Sequence, residues 1–485
     1  MPFKFSQLLF IPISVLAFLI GGIFDNAVVG LVITLGFGIY ALWNTKSALA
    51  LLFLYYPVRP FLLEFNPSLK GIGDIITIFL VLKIAYMNRK NIKSLFHFHW
   101  FELAYFGFII VGAISAYLTG VSVTAIIFEA RALMIFYLLF YIVKRLDITK
   151  EDIRKVAWTV FFVTIVICIH GLIEKLSLRG LLLPQSWEDM SLSAKNRIRI
   201  YGLIGNPNML AAFLSFAFIT VLYLKDQLIE KTKAVWAVNV GLVLLMGVWF
   251  LTYSRGTWIA FTIAMLLYVA FMKNWKVLLN WVITLALGIV LVGLPSNFAT
   301  NYMEKTNFGS HQRAKQNQFD DSEGSFKNRM KGTFDENFIE GSQRSGRLFI
   351  IKKGFSIYPE HPIIGTGFAT FGDSATLSYG SPIYDEYNID REFYSDNQYI
   401  QVIVQTGTIG VILFAIYLLN MLYLIWKQRN KSPHFSYLMM SVLLGAFVAG
   451  CVYNVWELDV FTLFFFPMLA YLLHSSESTQ AFKKE

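Results

Sequence analysis

Apolar runs about as long as a bilayer is thick alternate with short polar stretches along almost the whole chain. A helix crosses the hydrocarbon core with about 20 mainly apolar residues, within roughly 17–25. Runs of that kind cover residues 8–24, 101–119, 123–143, 156–173, 209–224, 234–252, 256–272, 277–294, 399–425 and 436–454. Weaker runs cover 27–43, 48–63, 72–88 and 457–474. The pattern predicts an all-α integral membrane protein with about 12–14 transmembrane helices, the lower figure applying if two weak runs are re-entrant or fused. The first run ends in Gly-Gly-Ile-Phe without a small-x-small cleavage site, so it reads as a span rather than a removed signal.

The polar stretches set an orientation. Arg89, Lys90 and Lys93 share one loop, and Lys144, Arg145, Lys150, Arg154 and Lys155 another. Lys225, Lys231 and Lys233 mark a third, Lys273 and Lys276 a fourth, and Lys427, Arg429 and Lys431 a fifth. With about 14 spans and a cytoplasmic N-terminus at Lys4, these loops and the tail with Lys483 and Lys484 all fall on the cytoplasmic side, as short basic loops should. Two long connections then lie outside, from Glu174 to about Asn208 and from Pro295 to about Asp396. In the second, Asn301–Ser345 is polar and mixed in charge, which predicts a mobile or loosely helical stretch. From Arg347 to Phe371 apolar spacing returns at Leu348, Ile351 and Phe355, predicting an amphipathic helix on the membrane mouth, ended by Pro359 and Pro362. The expected organisation is N-terminal spans to residue 173, central spans over 174–294, a large extracytoplasmic loop over 295–398, and C-terminal spans with a short tail over 399–485. No internal repeat is visible, which weighs against a transporter built from inverted halves.

Composition agrees with a membrane protein. Hydrophobic residues make up 56% and charged residues 15%, against roughly 25% charged in soluble domains. The net charge of +10 comes from residues that orient spans, so it does not argue for nucleic acid. Cys168 and Cys451 both lie inside apolar runs, which argues against a disulfide framework or a cysteine metal site.

Candidate chemistry concentrates at the outer ends of spans. Thr252-Tyr-Ser-Arg-Gly256 separates two strong spans with almost no loop, placing Arg255 where orientation does not need it. Its planar fork suits a phosphate at the membrane surface, and interfacial anchoring is the other reading. Arg347 opens the outer-loop helix, either as a ligand or as an ordinary basic loop residue. Arg197 and Arg199 precede Tyr201-Gly-Leu-Ile-Gly-Asn-Pro-Asn208, where Pro207 can open a helix, and Arg199, Asn206 and Asn208 read as ligand contacts or as a helix start with solvated arginines. Glu129 and Arg131 lie inside a span, where a charge costs roughly 2.5–3.5 kcal/mol, so both are expected to face the interior and to be paired. Asp396 and Asn397 precede a strong span. Asp396 is a candidate base toward a hydroxyl or the cap of that helix. His361, before Pro362, is a second candidate base or a structural loop histidine. No phosphate-binding Gly-rich loop, serine nucleophile elbow or His/Cys metal spacing occurs.

Four segments in order resemble the O-antigen ligase and Wzy-type polymerase superfamily. They are Arg199 to Asn208, Thr252-Tyr-Ser-Arg-Gly-Thr-Trp258, Arg347 through His361-Pro-Ile-Ile-Gly-Thr-Gly367, and Asp396-Asn397 followed by Gly407-Thr-Ile-Gly410. The resemblance covers about residues 195–425. It implies a membrane glycosyltransferase that uses undecaprenyl-diphosphate-linked oligosaccharide on the outer face of the cytoplasmic membrane, without nucleotide sugar, metal or other cofactor. It implies that Arg255 and Arg347 hold the lipid diphosphate, with Arg199 assisting, and that Asn206, Asn208, Asn397 and His361 line the substrate. Where the ligases are similar in having a histidine, this chain has Asp396, which leans toward the polymerase branch. An exposed aspartate, with a reference pKa near 3.9, is a weak base unless its surroundings raise it. Whole-chain character is similar to teichuronic acid biosynthesis membrane proteins of Bacillus type, so the expected product is a cell-wall polysaccharide. Implied partners are the lipid bilayer and a chain-length regulator or flippase of the same pathway. The rival readings are a ligase that moves finished glycan to an acceptor and a flippase or exporter of lipid-linked oligosaccharide.

Overall fold

The computed structural model describes residues 5–228, 232–317 and 346–481. Lys4, Lys231, Lys483, Lys484 and the stretch 318–345 lie outside the described residues. All regular elements among the described residues are helical. The first are α1 (Phe10–Ile23), α2 (Ala27–Trp43), α3 (Thr45–Phe65), α4 (Ile72–Met87), α5 (Trp100–Leu118), α6 (Val123–Val143) and α7 (Lys150–Leu176). Then follow α8 (Gln185–Glu188), α9 (Ala194–Arg197), α10 (Pro207–Asp226), α11 (Thr232–Leu251), α12 (Arg255–Met272), α13 (Trp275–Gly288), α14 (Leu294–Met303) and α15 (Asn307–Asn317). The last are α16 (Arg347–Ile357), α17 (Ser374–Tyr379), α18 (Gln398–Lys427), α19 (Pro433–Ala449) and α20 (Asp459–Ala481).

Among the described residues, 9 helices are long and apolar enough to cross a membrane, and Phe10–Ile23, Ala27–Trp43, Pro433–Ala449 and Asp459–His474 are shorter apolar ones. The protein is a multi-span all-α membrane protein. One span exceeds its expected length: the helix begun at Trp275 runs to Met303 instead of stopping before Pro295. A π-helical turn over Ile289–Gly293 precedes the proline. Its wider winding accommodates a residue that lacks an N–H and crowds the preceding turn of a regular helix.

Contacts divide the chain into two units, each assembled from separated stretches. The first comprises residues 1–83, 147–258 and 274–331. There α7 lies against α3, α10 and α11, burying Leu51, Tyr55, Ile167, Phe213, Phe218 and Met246. The second comprises residues 84–146, 259–273 and 332–485. Its centre is α18 against α5 and α20 against α6, where Tyr105 stacks on Tyr417 at 4.8 Å and Trp456 meets the Tyr417 ring edge-on.

Inside the second unit α18 is broken at Gly407, whose φ of 57° and ψ of −161° are not helical. A break at membrane depth leaves backbone groups that must find partners. The loop after α16 supplies them. Thr408 and Ile409 N–H donate to the carbonyls of Pro362 and Ile363 at 2.8 and 3.1 Å, while Thr366 and Gly367 N–H donate to those of Val404 and Gln405 at 2.9 and 2.8 Å. Phe368 N–H and the Gly365 carbonyl bond to Gly112 and Ser115 of α5. The approach is so close that a Cβ on Gly365 would lie 2.4 Å from the Gln405 carbonyl carbon. The His361-to-Gly367 segment is thus an insert that completes the broken span.

The outer-loop helix forms where expected, but with another face inward. Ile350, Gly354 and Ile357 are buried, while Leu348 and Phe355 point out. Gly354 decides this, because only a residue without a side chain lets Ile400 approach so closely: a Cβ there would lie 2.3 Å from the Ile400 Cγ2. The expectation for α6 also needs correction. Glu129 is buried and Arg131 is exposed, because residues two apart on a helix occupy nearly opposite faces.

Candidate functional site

The four sequence segments come together in pairs, one pair in each unit. In the first unit the connection after α7 folds back on the end of that helix. Glu174, fully buried, accepts the N–H groups of Tyr201 and Gly202 at 3.0 and 2.7 Å and pairs with Arg179. This anchors the strand of chain that carries Arg199. Arg199 is itself buried, with 8% exposure, which rules out the reading of it as a solvated residue. Its Nε donates to the Thr252 carbonyl at 2.8 Å and its Nη2 to Asn208 Oδ1 at 2.6 Å. Ser254 Oγ donates to the same Asn208 oxygen at 2.9 Å. Arg199 and Asn208 therefore tie the first segment to the turn before α12. Asn206 caps α10, its side chain accepting from the N–H groups of Asn208 and Met209.

That turn is built for tightness. Tyr253 sits in the left-handed region at φ 50°, and its hydroxyl donates to Asn297 Oδ1 at 3.0 Å. The next helix starts at once, with Arg255 half-buried as its first residue. A helix N-terminus already carries partial positive charge, so a guanidinium there opposes the dipole unless an anion is bound. Lys175 adds a cation that the sequence reading missed. It is buried, donates to the Ile198 carbonyl at 3.0 Å and lies 5.6 Å from the centre of the Tyr253 ring.

In the second unit Arg347 is again the first residue of a helix, exposed, with Nη2 3.3 Å from the Val452 carbonyl. The cap of α18 falls to Asn397, not to Asp396. Asn397 Oδ1 accepts the N–H groups of Tyr399 and Ile400, both at 3.1 Å, and Nδ2 donates to the Cys451 carbonyl at 3.1 Å. The Asp396 carboxylate, half-buried, is left out of the capping and has Arg347 as its electrostatic neighbour. Burial raises its pKa above the ordinary aspartate value, and the Arg347 charge partly opposes the rise. The carboxylate is thereby more basic than that of an exposed aspartate. His361 lies at a turn, with Nε2 3.4 Å from the Tyr387 hydroxyl, which donates to Glu360 at 2.6 Å.

Sequence reasoning also missed Asp373, Glu457 and the glutamines of α18. Gln398, Gln401 and Gln405 recur at one-turn spacing along a strongly apolar span, a polar stripe that was there to be read.

Residues 240–415 match the family model described as O-antigen ligase. The matched region runs from α11 into α18 and contains Arg255, Arg347, His361 and Asp396; Arg199 lies before it. No curated protein matches the chain significantly. The O-antigen ligase-type region, set in a multi-span helical membrane protein, supports a glycosyl-transfer activity of ligase or polymerase type at a lipid bilayer, with a lipid-linked glycan as substrate.

Proposed function

We propose that the protein polymerises undecaprenyl-diphosphate-linked repeat units into a cell-surface or cell-wall polysaccharide, teichuronic-acid-like, on the outer face of the cytoplasmic membrane, with both termini inside. The observation that carries this reading is the O-antigen ligase-type region, in which Asp396 has Arg347 as an electrostatic neighbour and is not used as a helix cap. In the reaction an acceptor hydroxyl oxygen attacks the anomeric carbon of the donor. The bond from that carbon to the phosphate oxygen breaks, and the diphosphate leaves with the electron pair. The hydroxyl proton passes to the Asp396 carboxylate. Charge grows on the leaving diphosphate, and arginines fixed at helix starts stabilise it without reorganising. Arg255 and Arg347 take that role, while Arg199 holds the turn that presents Arg255.

The test is turnover of a lipid-diphosphate-linked repeat unit by purified Arg255→Ala and Arg347→Ala proteins. Each is expected to retain insertion and to lose on the order of 10²-fold or more in rate. Wild-type rates in both would overturn the assignment. Transfer of glycan only to a different acceptor, without elongation, would replace polymerase by ligase.

A further inference from the structure

The second unit holds three carboxylates that the reaction above does not use. Glu129 of α6 and Asp373, the N-cap of α17, are buried, at 2% and 0% exposure, and Glu457, in the turn between α19 and α20, is half-buried. Asp373 is fully occupied, accepting Ala369 N–H and Gln405 Nε2 at 2.6 Å each and Thr376 N–H at 2.8 Å. Glu457 accepts from Gln401 and from Ser374. Glu129 differs: its Oε2 is buried without a hydrogen-bond partner. That oxygen's side chain lines a cavity of ≈ 10 Å³, shared with Glu457, Gln398, Gln401 and Gln405, about the space one water molecule needs. The charges that act most strongly on Glu129 are those of Asp373 and Glu457, both of its own sign. Tyr105 faces it from α5, Asp459 begins α20, and Arg131 on α6 itself is exposed.

Two carboxylates that line one small cavity in a water-poor interior do not both stay ionised, so the cavity needs a positive charge. Among the described residues no three His, Cys, Asp or Glu side chains converge closely enough to hold a metal ion. We propose that the cavity binds one water and one exchangeable proton, with Glu129 as the proton-holding group and the half-buried Glu457 as its route to solvent. Tyr394 is within electrostatic reach of Glu129, Glu457 and Asp373, and also of Asp396. Tyr394 thus feels both the proton site and the candidate base, although the proposal does not depend on the reaction assigned to Asp396.

Infrared difference spectra of the full chain in lipid nanodiscs, recorded across neutral pH, test it. A protonated-carboxyl C=O band that shifts in D2O is expected in the wild type, lost in Glu129→Gln and retained in Asp396→Asn. If Glu129→Gln does not insert, Glu457→Gln serves instead and should change the pH dependence of the band. A band that neither glutamine variant alters would overturn the proposal. So would stabilisation of the wild type by Na+ at constant ionic strength that Glu129→Gln abolishes, since the ligand would then be a metal ion.

Discussion

Asp396 and Asn397 are neighbours of similar chemistry, and the fold gives them different work. Asn397 holds the start of α18 with three hydrogen bonds, so Asn397→Ala should lower stability by about 1–2 kcal/mol, read as a fall in thermal midpoint. Asp396→Asn should leave the midpoint unchanged or slightly raised, because a neutral amide replaces a carboxylate whose pKa burial already pushes up. Its transfer rate should drop on the order of 10²–10⁴-fold, the usual contribution of a general base. The pH profile carries the sign. A base acts when deprotonated, so the rate rises with pH through the raised pKa of Asp396. Arg347 opposes that rise, so Arg347→Gln, besides slowing the reaction, should move the ascending limb to higher pH. A limb that stays in place would separate the two residues. The sequence left cap and base as alternatives for Asp396 because either residue of an Asp-Asn pair can cap; only the backbone angle of Asn397 decides which one does.

At the level of elements, the broken span and its insert explain why Gly365 and Gly407 stand where they do. A Cβ on Gly407 would lie 2.6 Å from the Gly365 nitrogen, in a conformation that side chains rarely adopt. Gly407→Ala should destabilise the protein by about 2–5 kcal/mol, from backbone strain and overpacking together. Measured by thermal unfolding in detergent, a wild-type midpoint would show that the insert is not needed. The segment from His361 to Gly367 looked from sequence like part of a substrate-binding motif. Its backbone repairs the hydrogen bonding of α18, and this was illegible because the partners are 40 or so residues apart, joined by backbone atoms that residue identity does not report. The inward face of α16 was misread for a related reason: a glycine at a contact counts as polar in a periodicity argument, yet it allows the closest packing.

Across the whole molecule, the spans were the most legible part, since hydrocarbon length and apolar composition dictate them, although the runs at 8–24 and 436–454 give the shorter helices Phe10–Ile23 and Pro433–Ala449. Even the overlong helix to Met303 differs only because a π turn admits Pro295. The proposed cations were all named from sequence: Arg255 from a tight turn between spans, Arg347 from the start of the outer-loop helix and Arg199 from the stretch before Tyr201. What sequence order concealed was their grouping, with Arg199 and the Arg255 turn in one unit and Arg347 and Asp396 in the other. Glu457, in a short turn between apolar runs, was not singled out from sequence at all. Together these parts are proposed to serve glycosyl transfer from a lipid diphosphate. Liposomes containing the purified protein and undecaprenyl-diphosphate-linked repeat units, with products resolved by length, test it most directly. The expected result is a ladder of longer lipid-linked glycans that disappears with Arg255→Ala. Substrate that crosses between leaflets without any elongation or transfer would contradict the claim.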